Sequence, residues 1–283
     1  MVAELLVKKQ QSGKAYLFCP NYRILGITFM APAIVLLVLS LFIVVFIFYK
    51  RPKKKVVLPP NYKKLLNAHV AYYSRLSKED KRLFEDKIKD FLGYVRIDGI
   101  ETTVTDLDKL LVASSAVIPV FGFNKWKYNN LRNVLLYPGS FNRDEFLAGG
   151  FEKNTLGMIG NGPMQRVMIL SKPALYYGFS PHQPKQNTGI HEFVHLLDKE
   201  DGDVDGLPEA LLNREFNQKW IDLVNKNMYE IQTGQSDIDL YASANRAEFF
   251  AVSAEYFFNC PELFKENHPD FYEMMALIFN QRA

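Results

Sequence analysis

Two histidines and a glutamate stand close together in the run His191-Glu192-Phe193-Val194-His195, within a stretch whose pattern predicts a helix. Residues four apart on a helix lie one turn above each other, so both imidazole rings can reach one metal ion. Glu192 would then lie near a water molecule beside that metal and could accept its proton. Two neutral nitrogen ligands, an open coordination position and a base are what a zinc-dependent hydrolase requires.

The same stretch has a simpler interpretation, in which the histidines have no special role. An apolar stripe at helical spacing predicts that this helix packs against the core in either case. The stripe consists of Ile190, Phe193, Val194 and Leu197. His191 and His195 would then be ordinary polar residues at its edge. We favour the metal site, because the alternative treats the histidine spacing and the position of Glu192 as coincidence.

A third metal ligand has to come from elsewhere in the chain, and three acidic residues are candidates. Asp201 lies where metzincins place their third ligand, although that pattern requires a glycine where this chain has Asp198. Glu248 and Glu255 lie two turns apart on a second apolar helix, which could lay a carboxylate against the first. Asn245 with Glu248 also matches a capping box, and Glu255 could be a solvated or hydrogen-bonded helix residue. Asp198 argues against Asp201, and the spacing alone does not choose between Glu248 and Glu255.

Four stretches of the sequence match a known family. They are residues 133–139, 162–163 with 167–171, 191–198 and 241–264. On these stretches the chain resembles the Mlc titration factor A family of zinc peptidases, whose metal site is similar to that of anthrax lethal factor. The resemblance runs from about Tyr62 to the C-terminus.

The resemblance assigns roles to the candidate residues. It implies three ligands for one zinc ion, namely His191, His195 and Glu248. In that family the ligand glutamate lies seven residues after a tyrosine that points into the site, and Tyr241 and Glu248 have this spacing. Glu192 would be the general base, and Tyr241 would stabilise the oxyanion of a tetrahedral intermediate. Glu255 would be a packing residue or one that orients a ligand histidine.

A second acidic motif follows the histidine helix. Residues 201–206 reproduce the first half of a calcium-binding loop, with aspartates at alternate positions. The glutamate expected at position twelve is replaced by Leu212, and Pro208 suits the short strand of such a loop poorly. A solvated acidic loop is therefore the better interpretation. The remaining histidines receive no metal role; they are His69, His182 and His268.

The segment from Ile24 to Tyr49 is apolar apart from Thr28 and Ser40 and carries no charge. A helix of this length can cross a hydrocarbon core of about 30 Å, which predicts a single transmembrane anchor. A cleaved signal peptide is disfavoured, because no small-residue cleavage site follows the apolar run.

Basic residues flank this segment on both sides and predict its orientation. Those before it are Lys8, Lys9, Lys14 and Arg23. Those after it are Lys50, Arg51, Lys53, Lys54 and Lys55, with Lys63 and Lys64 beyond. The denser C-terminal flank places the large domain in the cytoplasm, at the inner membrane. Translation from Met30 would strengthen this bias, a hypothesis that the intact mass of the protein would test.

The overall composition limits the classes of partner. The chain has 283 residues with a net charge of +3, and much of that charge lies in the cluster after the apolar segment. This cluster is better explained by topology and by anionic lipid head groups than by nucleic acid, for which no recognition motif is present. Cys19 and Cys260 lie on opposite sides of the linker, so no disulfide is expected within the domain.

The rest of the chain predicts one α+β domain over residues 62–283, after a basic, proline-containing linker over residues 50–61. Helices are expected from Ser77 to Leu92, over 104–116, around His191, over 208–226, around Glu248 and from Pro269 to Phe279. Strands are expected over 133–137 and 166–170. This order suits a zincin-like fold, in which 166–170 would be the edge strand that pairs with an extended peptide.

These observations predict a membrane-anchored zinc peptidase that acts on peptide or protein substrates. The alternative is a membrane-tethered binding protein that sequesters a cytoplasmic regulatory protein, with weak or vestigial peptidase activity. The intact ligands and base favour retained chemistry but leave the principal role open.

Overall fold

The computed structural model describes residues 39–40, 56–139, 141–142, 154–155, 157–159, 166–181 and 185–281. By its internal contacts the chain divides into two units, Met1–Lys53 and Lys54–Ala283. In the first unit only Leu39 and Ser40 are described, and both are helical. No helix in the ranges given above is long and apolar enough to cross a membrane. The predicted anchor over residues 24–49 lies almost wholly outside them and stays a prediction.

The described residues of the second unit form six strands. They are β1 (Arg96–Gly99), β2 (Asn133–Tyr137), β3 (Phe141–Asn142), β4 (Asn154–Thr155), β5 (Gly157–Ile159) and β6 (Val167–Ser171). Four of them make one sheet in the order β1-β2-β6-β5, and β3 pairs with β4. Strands β1, β2 and β6 run parallel, with Val134 opposite both Ile97 and Met168. Strand β5 is antiparallel to β6, with Met158 opposite Ile169.

The prediction that residues 166–170 form an edge strand is wrong. The segment is β6, and it pairs with β2 on one side and with β5 on the other. Met168, Ile169 and Leu170 are all buried, as expected for an internal strand covered on both faces. Its backbone groups are already bonded within the sheet and cannot pair with a peptide. Among the described strands, β5 and β1 are the two edges of this sheet.

Ten α-helices are described in the same unit. They are α1 (Tyr62–His69), α2 (Ala71–Arg75), α3 (Lys78–Leu92), α4 (Asp106–Val117), α5 (Lys172–Gly178), α6 (Thr188–Asp198), α7 (Asn217–Gln232), α8 (Arg246–Asn259), α9 (Pro261–Asn267) and α10 (Pro269–Ile278). Short 3-10 helices lie at Ile118–Val120, Lys199–Asp201, Arg214–Phe216 and Leu240–Ser243. The described residues thus form a mixed domain of helices and sheet, which confirms that part of the predicted fold class.

Local capping explains where several helices begin. The Ser77 hydroxyl accepts a hydrogen bond from the Asp80 N–H at 3.1 Å, so α3 starts where it was predicted. Thr105 and Asp108 form a capping box, which delays α4 to Asp106 rather than residue 104. Helix α10 ends within one residue of its predicted end.

The predicted helix over residues 208–226 is wrong at its beginning. Leu211 and Leu212 donate their backbone N–H groups to the Pro208 carbonyl at 2.9 Å each, which closes a single turn. Leu212 is buried, and the chain is extended at Asn213 before the next helix forms. The regular helix α7 therefore starts at Asn217 and continues to Gln232.

Helix α6 lies in the centre of the unit and packs against α4, α5, α8 and the strands β5 and β6. All four residues of its predicted apolar stripe are fully buried, which confirms it as a core helix. Phe193 packs against Phe91 and Tyr128, with ring centroids 5.7 and 5.1 Å away. Gly189 permits the close approach of α4, because an added Cβ would lie 2.2 Å from the Ser115 Oγ.

Candidate metal centre

The two histidines of α6 point to a common position. Asn187 caps the helix by accepting a hydrogen bond from the Ile190 N–H at 3.0 Å, which sets the first turn that carries His191. The His191 and His195 rings lie 4.6 Å apart and nearly perpendicular. Their Nε2 atoms are 3.0 Å apart. The helical spacing therefore brings both nitrogens to one point, as the sequence predicted.

Glu248 approaches this point from the first turn of α8. Its Oε2 atom lies 3.1 Å from the His191 Nε2 and 3.5 Å from the His195 Nε2. One ligand atom from each of the three side chains lies within 4.8 Å of the other two, a convergence unique to these residues within the described ranges. Asn245 does cap the Glu248 N–H at 2.9 Å, but the Glu248 side chain is directed toward the histidines instead of completing a capping box.

Glu255 lies behind His191, on the other side of the ring. Its Oε1 atom is 2.7 Å from the His191 Nδ1. Its Oε2 atom accepts a hydrogen bond from the Asn187 N–H. A carboxylate at this position accepts a hydrogen bond from Nδ1–H, and in the neutral ring that tautomer carries its lone pair on Nε2. The structure thus places Glu255 against the Nδ1 side of His191 and does not bring it into the group of three.

The chemistry of this group fits a divalent metal ion. The Glu248 Oε2 is buried, and no hydrogen bond satisfies it, although two imidazole nitrogens face it. A buried carboxylate oxygen beside nitrogen lone pairs is unfavourable unless a cation lies between them. Burial alone would lower the pKa of His191, but the neighbouring carboxylates of Glu248 and Glu255 raise it well above 6.5. The surroundings therefore favour positive charge at this point.

Glu192 lies beside the group and is almost completely buried, with 6% of its surface exposed. Burial raises the pKa of its carboxyl above 4.5, and the nearby imidazoles of His191 and His195 partly oppose this. A carboxyl group with a raised pKa accepts and returns a proton more readily near neutral pH. Its place on α6 follows from the sequence, one residue after His191.

Tyr241 lies on the 3-10 helix Leu240–Ser243, which packs against the first turn of α8. Its ring centroid is 6.3 Å from that of His191, and the two planes are tilted by 29°. The side chain is 55% exposed, so it lies at the open side of the group. The structure therefore brings together all five residues that the resemblance implied.

The other candidates lie elsewhere. Asp201 is exposed at the end of a 3-10 helix and is not part of the converging group. In the acidic loop, the Asp201 and Asp205 carboxylates accept hydrogen bonds from backbone N–H groups two residues ahead, as turn residues do. His268 contacts Asp237 at 2.7 Å, His69 ends α1, and His182 lies outside the described residues.

Sequence reasoning did not assign a role to Asn187 or Asp198, although both border the site. Asn187 caps α6 and contacts Glu255. The sequence signal for this cap is an asparagine three residues before the apolar stripe that begins at Ile190. Asp198 is fully buried and accepts the Gly206 N–H at 2.9 Å. Burial raises the pKa of Asp198 to about 6. Its position three residues after His195, on the same helix face, was the corresponding signal.

Comparison with known proteins agrees with this geometry. A family model described as glucose-regulated metallo-peptidase M90 matches residues 48–280. An uncharacterised protein of Synechocystis is 27% identical over 77% of this chain and 82% of its own length. Mlc titration factor A of Salmonella arizonae is 30% identical over 77% of this chain and 86% of its own. The corresponding protein of Pectobacterium atrosepticum is 26% identical over 73% and 81%.

Proposed function

Because this chain belongs to the glucose-regulated metallo-peptidase M90 family, we propose that it is a zinc-dependent peptidase that hydrolyses peptide bonds. The observation that carries the proposal is the convergence of His191, His195 and Glu248, with Glu192 adjacent. Two histidines and one carboxylate are a frequent ligand set for catalytic zinc, which keeps a further coordination position for water or substrate. The identity of the metal and the mechanism are part of the proposal.

The residues divide the chemistry between them. Zinc held by the three side chains would supply a Lewis acid that acidifies water and polarises a carbonyl group. Glu192 accepts the proton of the attacking water and passes it to the leaving amine. Its buried carboxyl, with a raised pKa, suits both halves of this transfer. Glu255 keeps the His191 Nδ1–H engaged, so that the ring presents Nε2.

Tyr241 is proposed as the hydrogen-bond donor to the developing oxyanion. Its ring lies beside His191 at the open side of the site, where a substrate carbonyl can reach it. A donor that is held in place before the reaction stabilises the negative charge of the transition state more than that of the ground state.

The edge strand β5 is proposed as the surface that binds the substrate backbone. It packs against α6, which carries the histidines, and its outer side is not paired within the described part of the sheet. An extended peptide can add to such an edge by main-chain hydrogen bonds, which gives affinity without reading every side chain. Strand β5 thus takes the peptide-binding role that the sequence analysis expected of residues 166–170.

The test combines metal analysis with peptide hydrolysis by the full chain in detergent. We expect about one zinc ion per chain and cleavage of some members of a panel of aminoacyl and internally quenched peptides. Glu192→Gln should retain zinc and lose about 10²-fold or more in turnover, because the base is absent. His195→Ala should lose both zinc and turnover. Glu215→Gln, an exposed site on a 3-10 helix, is the matched control. Undiminished, zinc-dependent activity of Glu192→Gln would overturn the proposal.

A second candidate function follows from the names of the relatives. Several are called Mlc titration factor A, which suggests an interaction with a regulatory protein. In this alternative the chain sequesters a cytoplasmic regulator at the membrane, and peptide hydrolysis is secondary. The Glu192→Gln variant separates the two functions in cells. A phenotype that survives this substitution indicates binding, and one that disappears indicates hydrolysis.

A further inference from the structure

Residues 185–187, here called the strap, contact both the segment that leads to Tyr241 and helix α6, which carries His191. On one side the strap contacts the segment that leads to Tyr241. The Lys185 Nζ is 2.6 Å from the Asp237 Oδ2 and 3.0 Å from the Asp237 carbonyl oxygen. The Gln186 Nε2 donates to the Asp239 Oδ2 at 3.1 Å. Two consecutive side chains therefore hold this segment at two points.

Asp239 carries this connection to the backbone of Tyr241. Its Oδ1 accepts a hydrogen bond from the Tyr241 N–H at 2.9 Å, and its carbonyl accepts the Ala242 N–H at 3.0 Å. These bonds cap the 3-10 helix Leu240–Ser243. More than half of the surface of Tyr241 is exposed. The backbone that Asp239 caps carries the Tyr241 ring and so contributes to the position of its hydroxyl.

On the other side the strap contacts α6 and the glutamate behind His191. The Asn187 N–H donates to Glu255, and Glu255 contacts the His191 Nδ1. The Asn187 side chain also caps α6 through the Ile190 N–H. The same three consecutive residues are thus connected to Tyr241 at one end and to His191 at the other.

Asp237 is itself held firmly against the helices that follow. Its carboxylate is 2.7 Å from both the His268 Nε2 and the Tyr256 hydroxyl, and 2.8 Å from the Asn267 Nδ2. The Lys185 Nζ also lies 4.4 Å above the Tyr256 ring, a cation–π contact. Tyr256 belongs to α8, the helix that carries Glu248. The contact made by Lys185 is therefore also held against helix α8, at a residue two turns away from Glu248.

We propose that Lys185 and Gln186 are positioning residues that hold Tyr241 at the open side of the metal site through Asp237 and Asp239. The inference rests on the proposed function, because it gives Tyr241 a task in the reaction. Neither strap side chain touches the three ligands, so both act on the hydroxyl of Tyr241 and leave metal binding unaffected. A purely structural role would instead lower stability without depending on the hydroxyl.

A double-mutant cycle on the full chain tests the dependence on Tyr241. We expect Lys185→Met and Gln186→Ala each to lower kcat about tenfold, with zinc content and KM unchanged. In a Tyr241→Phe background the same substitutions should have little further effect, because the hydroxyl they position is gone. Lys219→Met, at an exposed lysine on α7, is the matched control. Equal losses in both backgrounds would overturn the proposal.

Hydrogen exchange gives a second measurement that does not require activity. The amides of Tyr241 and Ala242 should exchange faster in Lys185→Met and Gln186→Ala than in the wild type or Lys219→Met. Unchanged protection would overturn the positioning role. If the wild-type chain hydrolyses no peptide, the proposed function fails, and the exchange rates still decide whether the strap holds this segment.

Discussion

Glu248 and Glu255 lie on one face of α8, yet they contact His191 at opposite sides of its ring. Oε2 of Glu248 faces Nε2, while Oε1 of Glu255 faces Nδ1. Seven residues are about two helical turns, so the two carboxylates are separated along the axis by about 10 Å at the backbone. Residues of one type, on one helix, thus acquire different roles from their positions relative to a single imidazole.

The role of Glu255 predicts a loss of metal affinity when its charge is removed. In Glu255→Gln, one end of the amide must present N–H groups to a donor, either the Asn187 N–H or the His191 Nδ1–H. We expect the dissociation constant for zinc to rise about 10- to 100-fold, measured by competition with a chelator. Glu266→Gln, at an exposed position on α9, serves as control. Unaltered zinc affinity would show that Glu255 only packs against the histidine.

The role of Tyr241 predicts a selective loss of turnover. Tyr241→Phe removes one hydroxyl from an exposed ring and leaves the three ligands intact. We expect kcat to fall about 10² to 10³-fold with little change in zinc content, because the donor acts chiefly in the transition state. Tyr229→Phe, which alters a ring that is 65% exposed on α7, should leave kcat unchanged. A rise in KM at constant kcat would instead assign Tyr241 to substrate binding.

At the scale of elements, the site depends on how closely α6 can approach its neighbours. Helix α6 delivers three of the five proposed residues and packs against α8, which delivers Glu248. Trp220 of α7 donates to the Gly206 carbonyl at 2.7 Å, and Asp198 of α6 accepts the N–H of the same glycine. Gly206 has φ = 76°, and an added Cβ would lie 2.3 Å from the Arg246 carbonyl. Gly206 thereby holds the C-terminal end of α6 next to the start of α8.

The close contact between α6 and α4 predicts that one added methyl group lowers the free energy of unfolding. In Gly189→Ala the added Cβ would lie 2.9 Å from the Ser115 Cβ and 2.2 Å from its Oγ. Because both atoms are in buried helix–helix contact, we expect a loss of about 1–3 kcal/mol in the free energy of unfolding, seen as a lower Tm. Gly139→Ala meets no atom within 4 Å and is the matched control. Equal Tm values for the two variants would contradict this packing argument.

The cluster around Asp237 predicts a pH-dependent contribution to stability. Burial alone would raise the pKa of Asp237, but hydrogen bonds from Lys185, Tyr256 and His268 hold it well below 3.8. A depressed pKa in the folded state stabilises the fold above the unfolded value and loses this effect as pH falls. We expect Asp237→Asn to lower Tm at pH 7, with a difference from wild type that shrinks below about pH 4.

The control for this prediction is Asp203→Asn, in the exposed acidic loop. That variant should match the Tm of the wild type at both pH values. A difference for Asp237→Asn that stays constant down to pH 3 would show that the cluster contributes by shape alone and not by the ionised carboxylate.

At the scale of the whole molecule, we propose that the N-terminal segment decides where the domain works. The apolar run over residues 24–49 and the basic residues after it predict one membrane anchor with the domain in the cytoplasm. A tethered protease meets substrates at or near the membrane, and the basic linker adds attraction to anionic lipid head groups. This arrangement is a proposal, because the segment lies almost wholly outside the described residues.

Cell fractionation and a topology reporter test the anchor directly. We expect the full chain to stay in the membrane fraction after alkaline carbonate extraction, and a variant lacking residues 24–49 to leave it. A reporter fused after Ala283 should be active only in its cytoplasmic form. Extraction of the full chain by carbonate or salt would indicate a peripheral contact through the basic residues, and a periplasmic signal would reverse the proposed orientation.

The sequence by itself determined those features that depend on neighbours within one helix. The spacing of His191 and His195, the position of Glu192 and the caps at Ser77 and Asn245 follow from helical geometry, which is local. The apolar stripe likewise identified α6 as a core helix before its partners were known. Family resemblance then selected Glu248 from three acidic candidates, a choice that spacing alone had left open.

The tertiary structure decided what depends on residues far apart in the chain. His191 and Glu255 meet across 64 positions, so no local rule could say which face of the ring each glutamate of α8 would meet. The prediction of an edge strand over residues 166–170 is wrong for the same reason, because β6 is internal through its pairing with β5 as well as β2. Lys185 and Gln186 contact Asp237 and Asp239 across 52 and 53 positions of the chain. Such contacts form only when packing brings distant elements together, since their chain-closure entropy must be offset by burial of the whole core.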